Sequence, residues 1–353
     1  MEKKLKKLCV VIDTNIWKQN STILLKTPLG AALLYCLKQN NGCIGLPEVI
    51  ENEVIKHTIK DGYKAVENIN NNFKIIEIIM GKRSDYEVPD ETAIKESIES
   101  RIKEIEPWIK RVPFTLEHAK SALQRVDEGT PPNGEKNQQF KDSAIWEALL
   151  SLLRENYEVH FITSDKGFFK NRNDNCSLLA ENLEEDCKNL GQKVFIYKDF
   201  KSCLDKLQAD VPELDKTSII LGIYKEVNPD SAQYLLSETG FEITKFSQDL
   251  SLVSAFITEA TNKLALEFEL KYYLSDFQST EENERQKSIL TIEGECMYDY
   301  TDKNLSEILL KSETVNWLNA DGTPGRRGEV YLRMTCVLGG GNKEVKYKFR
   351  EQL

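Results

Sequence analysis

At 353 residues, with 40% hydrophobic and 29% charged residues, the chain has length for two cored domains and an ordinary folded composition, which excludes fibrous and disordered classes. No apolar run approaches the ~20 residues that cross a bilayer, so a helical membrane protein is excluded too. The net charge of −10 argues against a general nucleic-acid binder, but about −8 of it falls in residues 211–353, leaving the front of the chain near neutral.

The chain opens on a basic lead and a short apolar run, MEKKLKKLCVVID, that ends in Asp13 with no small-residue cleavage site. It reads as a first strand rather than a signal peptide, and the chain as cytoplasmic. Leu8–Asp13 is continuously apolar, as a strand buried on both faces must be. Leu24–Gln39 has helical spacing, Cys43–Leu46 reads as a second strand, and Pro47 opens a helix through about Lys60. Phe73–Met80 (FKIIEIIM) reads as a third apolar strand. Asp90–Arg111 and Thr115–Asp127 read as helices of a long insertion, about residues 81–139, that closes in the turn-rich loop GTPPNGEKNQQ. Asp142–Arg154 is a strong helix, with Ala144, Ile145, Ala148, Leu149, Leu152 and Leu153 on one stripe. Val159–Ser164 and Lys193–Tyr197 are the fourth and fifth strands. Such strand–helix alternation implies a parallel sheet covered by helices.

Composition shifts around Gln208–Lys216, which divides the chain into domains of residues 1–205 and 217–353. In the second, Leu264, Leu266, Phe268, Leu270 and Tyr272 alternate with small or polar residues, the period of a half-buried strand. Ser251–Ala260 pairs with it through Thr261–Lys263 as a hairpin. Ser288–Tyr298, Glu329–Leu338 and Glu344–Phe349 read as strands, Asp302–Lys311 as a helix and GTPGRRG (322–328) as a basic turn. An α+β domain with an antiparallel sheet follows. The eight cysteines form no CxxC pair and lie far from the three histidines, which argues for reduced thiols and against zinc.

In an open parallel sheet ligands bind beyond the carboxyl ends of the strands. Asp13 ends the first strand and Asp165 the fourth, Asp142 starts the helix leading into the fourth, and Glu53 lies in the helix after the second. Four carboxylates from separate segments repel one another unless a cation lies among them. Hard oxygen donors without histidine or thiolate point to Mg²⁺ or Mn²⁺. Glu51 sits about 200° around the helix from Glu53, so only one of the two faces the cluster; the spacing from Pro47 and Val49 favours Glu53.

The segments VIDTNIW (11–17), LPEVIENEV (46–54), KDSAIWEAL (141–149) and FITSDKGFF (161–169) together resemble the PIN-domain family over residues 8–205. The resemblance implies a three-layer α/β/α sandwich with a parallel five-stranded sheet. It implies Asp13, Glu53, Asp142 and Asp165 as metal-binding catalytic residues for phosphodiester hydrolysis. Asn15 and Ser164 would orient those carboxylates, and Lys141, Lys166, Lys170 and Arg172 flank the site where they can grip phosphates. Trp17 and Trp146 read as core, whereas Phe168 and Phe169 fit either reading, core or, for one of them, an exposed ring beside the substrate groove.

The leading expectation is therefore a metal-dependent endoribonuclease, with RNA favoured by family analogy. A structure-specific DNA nuclease and a catalytically inactive PIN-fold binding module remain alternatives. The acidic C-terminal domain carries no recognised motif; regulation, a protein partner or homo-oligomerisation is the expectation for it, in a toxin or phage-defence setting.

Overall fold

The computed structural model describes residues 7–18, 23–81, 89–134, 139–170, 178–208, 211, 214–227, 241–276, 288–318 and 324–329. The chain divides into two compact units, the first made of Met1–Leu24 and Cys36–Leu207, the second of Leu25–Tyr35 and Gln208–Leu353.

The first unit is built on β1 (Lys7–Ile12), β2 (Cys43–Pro47), β3 (Ile109–Val112), β4 (Tyr157–Ile162) and β5 (Val194–Tyr197). All are parallel, in the order β3-β2-β1-β4-β5. Val10, Val11, Ile12, Ile44, Phe161 and Ile162 are wholly buried, which is why the central strands are continuous apolar runs rather than alternating ones. The helices of the first half of the chain are α1 (Thr14–Trp17), α2 (Pro28–Gln39), α3 (Glu48–Met80), α4 (Glu91–Ile105), α5 (Leu116–Glu128) and α6 (Phe140–Arg154), followed by α7 (Glu181–Asn189) and α8 (Phe200–Leu207). Of these, α2 begins among residues counted with the second unit. Helix α6 is the most deeply set, its residues Ser143–Leu150 buried without a break. No described helix is long and apolar enough to cross a membrane.

Two expectations about the sheet need correction. Phe73–Met80 is not a strand but the last two turns of α3, which runs 33 residues, about 50 Å at 1.5 Å per residue, before Gly81 stops it in the left-handed conformation (φ 69°). Its β-branched residues Ile75, Ile78 and Ile79 are more than half exposed, so they fill no sheet core. The third strand is instead Ile109–Val112, expected as the tail of a helix. The Glu106-Pro107-Trp108 turn ends the helical run, and the four residues after it pair with β2 from Ile44↔Ile109 to Pro47↔Val112.

The second unit carries α9 (Lys216–Val227) and the antiparallel strands β6 (Phe241–Ile257), β7 (Lys263–Asp276), β8 (Ser288–Asp299), β9 (Asn304–Leu318) and β10 (Pro324–Glu329), neighbours in reverse chain order from β10 to β6. Ile219, Ile220, Ile223 and Val227 of α9 pack with Leu266, Phe268, Leu270, Tyr272, Leu290 and Ile292 to form its core. Asn304–Leu318 is a strand where a helix was expected over Asp302–Lys311. Glu307 has φ 54° and the β8–β9 register shifts nearby, so the core contacts of β9 fall at Leu305, Ile308 and Leu310. A bulge has given a strand one helix-like interval. Pro324–Glu329 is likewise an edge strand, paired Gly328↔Val315, rather than a turn. The strands expected beyond Glu329 lie outside the described residues.

Within this second unit the segment Thr27–Leu29 meets Glu295 of β8. The Leu29 N–H donates to Glu295 Oε2 at 2.8 Å, and the side chain is fully buried with Oε1 unpartnered. Burial pushes the carboxyl up to about 7, against the opposing pull of Lys311 and of the Leu29 N–H.

Candidate active site at the carboxyl edge of the parallel sheet

Strand order reverses between β1 and β4, the chain passing from β1 outward to β2 while β4 lies on the other side. Such a switch point opens a crevice at the carboxyl ends of the two strands. Asp13 follows β1 directly and caps α1, its Oδ1 accepting from Thr14 N at 2.6 Å. Its Oδ2 accepts from Thr163 Oγ1 at 2.6 Å, and its own N–H donates to Ile162 O at the end of β4. Asp165 lies just past β4; its Oδ1 accepts from Gly167 N at 2.6 Å and its N–H donates to Thr163 Oγ1 at 3.0 Å. One hydroxyl, that of Thr163, thus ties the Asp13 carboxylate to the backbone of Asp165.

Glu53 reaches the same edge from the second turn of α3. Thr14 Oγ1 donates to its Oε2 at 3.0 Å and Lys141 Nζ to its Oε1 at 3.0 Å, while Lys18 stands 3.9 Å and His57 3.6 Å away. Glu51 points elsewhere, accepting from Arg111 Nε at 3.0 Å. Asp142 sits in the first turn of α6; with the Gln139 amide turned so that its nitrogen faces acceptors, that nitrogen lies 3.3 Å from Asp142 Oδ2 and 2.8 Å from Pro132 O.

The four groups feel one another's charge. Burial pushes Asp142 up to about 7, and Asp165, Asp13 and Glu53 add to the rise. Burial likewise carries Asp13 to about 6, against its bonds from Thr163 and Thr14, with Asp165 and Glu53 raising it further. Glu53 goes the other way: burial works against its charge, but the hydrogen bonds from Lys141 and Thr14 outweigh it and hold the carboxyl below its usual range. Among the described residues no three His, Cys, Asp or Glu side chains stand close enough together to hold a metal ion as they are. Asp13, Glu53 and Asp165 instead turn oxygens toward threonine, lysine and backbone donors.

The remaining expected residues divide. Asn15 joins the site, its Oδ1 accepting from Ser164 N at 3.3 Å and its Nδ2 lying 3.4 Å from Thr163 Oγ1; Ser164 contributes that backbone N–H. Lys141 is held on Glu53 rather than left open for phosphate, and Lys170 pairs with Glu181 at 3.1 Å. Lys166 is exposed beside Asp165, and Arg172 lies outside the described residues. Phe168 and Phe169 are both buried, so neither is a stacking ring; Trp17 and Trp146 are core. Thr14 and Thr163 were missed in the sequence, although each directly adjoins or nearly adjoins an acidic residue already singled out. Their signal is weak because a threonine at a strand end is ordinary turn chemistry. A polar cavity of about 360 Å³ elsewhere on this unit is lined by Arg125, Glu147 and Asp186. Arg125 already bridges those two acids at 2.8 and 2.7 Å, so the cavity's charges are satisfied internally.

Residues 10–168 match the family model described as PIN domain, a span that contains all four carboxylates. PIN domains form a superfamily whose members are generally nucleases acting on nucleic acids, and the likeness covers residues 10–168, less than half of the chain. The C-terminal region is matched by no family. No curated protein and no solved structure matches the chain.

Proposed function

We propose that the first unit is a divalent-metal-dependent endoribonuclease. The observation that carries this reading is the placement of Asp13, Glu53, Asp142 and Asp165, from four separate elements, at one switch-point edge within the matched PIN segment. The donor set suits Mg²⁺ or Mn²⁺, being oxygen only and acidic, with Lys141 bonded to Glu53 and opposing the like charge at Asp142. Asp13, Asp142 and Asp165 would hold the ion, with Glu53 close by. Bound there, a divalent ion supplies an activated water and charge stabilisation for in-line displacement at phosphorus. The protein's own part is orientation: Thr163 fixes Asp13 against Asp165, Thr14 fixes Asp13 against Glu53, and Asn15 braces the loop after β4. Lys166, exposed beside Asp165, would meet a phosphate. For the second unit we propose a regulatory or partner-binding role, since its net negative charge disfavours phosphate.

The test is cleavage of total RNA and of single-stranded DNA by wild type and Asp13→Asn, with Mn²⁺, Mg²⁺ or EDTA. Cleavage of RNA lost both in the variant and with EDTA is expected. Cleavage of DNA alone would replace the endoribonuclease by a DNA nuclease. No cleavage and no metal binding by calorimetry would leave a binding module.

A further inference from the structure

Two large rings in the first unit are left open to solvent, Phe114 at 36% and Phe140 at 40% exposure, and they meet edge to face with centroids 6.3 Å apart. Phe114 lies just past the carboxyl end of β3, on the edge that also carries Asp13 after β1 and Asp165 after β4. Phe140 opens α6 two residues before Asp142. Helix α3 anchors both. Glu48 Oε2 accepts from Phe114 N at 2.8 Å, and Glu53 Oε1 accepts from Lys141 Nζ, next to Phe140, at 3.0 Å. The Phe114 ring also contacts His118, centroids 6.4 Å apart, which supports it from within the fold.

We propose that Phe114 and Phe140 form a stacking platform for an unpaired nucleobase of a strand whose phosphate a bound metal ion would hold at the neighbouring carboxylates. The proposal rests on the nuclease reading above and adds to it a substrate class, single-stranded nucleic acid. A base within a duplex has both faces covered by its neighbours and cannot offer one to a protein ring. Exposed aromatic faces beside a phosphate-handling edge accept any base, which makes the platform tolerant of sequence. Phe140 is not needed to fill the core, because the buried run of α6 starts at Ser143.

Fluorescence anisotropy of the full-length protein with a short labelled RNA, single-stranded or duplex, tests this in EDTA, where strand cleavage cannot interfere. Phe140→Leu and Phe114→Leu, which keep apolar bulk but remove the ring, are expected to weaken single-strand binding between about five- and a hundredfold. Phe140→Trp should restore it, and an abasic nucleotide at one register should weaken wild type but not Phe140→Leu. Unchanged single-strand affinity in both leucine variants, with metal-dependent cleavage intact, overturns the platform and leaves the nuclease standing. Absence of both binding and cleavage in wild type removes the nuclease reading and the platform with it.

Discussion

Asp142 in the first unit and Glu295 in the second are both driven to about 7 by burial, yet their neighbours differ in kind. Glu295 faces the Leu29 N–H, the Thr27 side chain and Lys311, partners that favour its charge, with Glu267 opposing it. Asp142 faces three carboxylates and a single lysine. The first arrangement is a helix start answered from within the fold. The second accumulates like charge at an open edge, a cost that Lys141 offsets only in part and that a ligand of positive charge would relieve.

Substitution can break this contrast. The largest effect is expected for Asp142→Asn, which should reduce metal-dependent cleavage by about 10³-fold or more. The same variant should lose the rise in melting midpoint that Mn²⁺ gives wild type, which by mass action reaches about 2.7 kcal/mol at a hundred times Kd. Retained cleavage would remove Asp142 from the site.

Glu295→Gln should leave cleavage unchanged and alter stability instead. The folded carboxyl lies near 7 against an ordinary 4.5, so the folded state keeps a proton that the unfolded chain releases between those values. Stability from this group is then fully present below about 4.5 and lost as pH rises through 7. The glutamine still accepts from Leu29 but has no such slope; urea unfolding at pH 5 and pH 8 should show a difference of up to about 3 kcal/mol vanish in the variant. Identical slopes would show Glu295 to be more hydrated than its burial implies.

Thr163→Val keeps the shape but removes the hydroxyl that joins Asp13 to Asp165. A loss of about 10- to 100-fold in activity or metal affinity is expected, smaller than for a carboxylate. Lys166→Ala should do least, a few-fold rise in KM with kcat kept, since one exposed lysine supplies one phosphate contact. A matching loss in kcat would give Lys166 a part in the reaction itself.

The parallel sheet's central strands and the Asp-Thr-Asn and Thr-Ser-Asp turns were legible because buried parallel strands leave unbroken apolar runs that stop at a polar residue. Ile109–Val112 was not, since an edge strand of four residues with Lys110 and Arg111 partly exposed looks like a helix tail. The apolar Phe73–Met80 misled in the other direction, because exposed isoleucines on a long helix have the composition of a buried strand. The bulge at Glu307 hid β9 in the same manner, by replacing a period of two with one step of three. At the site the carboxylates could be read from position, whereas the threonines binding them together depend on which hydroxyl faces which strand, and Phe114 depends on where β3 ends.

The Leu29–Glu295 bond joins residues 266 positions apart. On a ribosome adding about 5–20 residues per second, roughly 13 to 53 s separate the synthesis of its two ends. Leu207, the last residue of the first unit, is made well before Glu295. Every nascent chain thus passes through a stage in which the carboxylate edge is complete while the start of α2 still awaits its partner. Any restraint the second unit places on the first can begin only after that stage, late in translation.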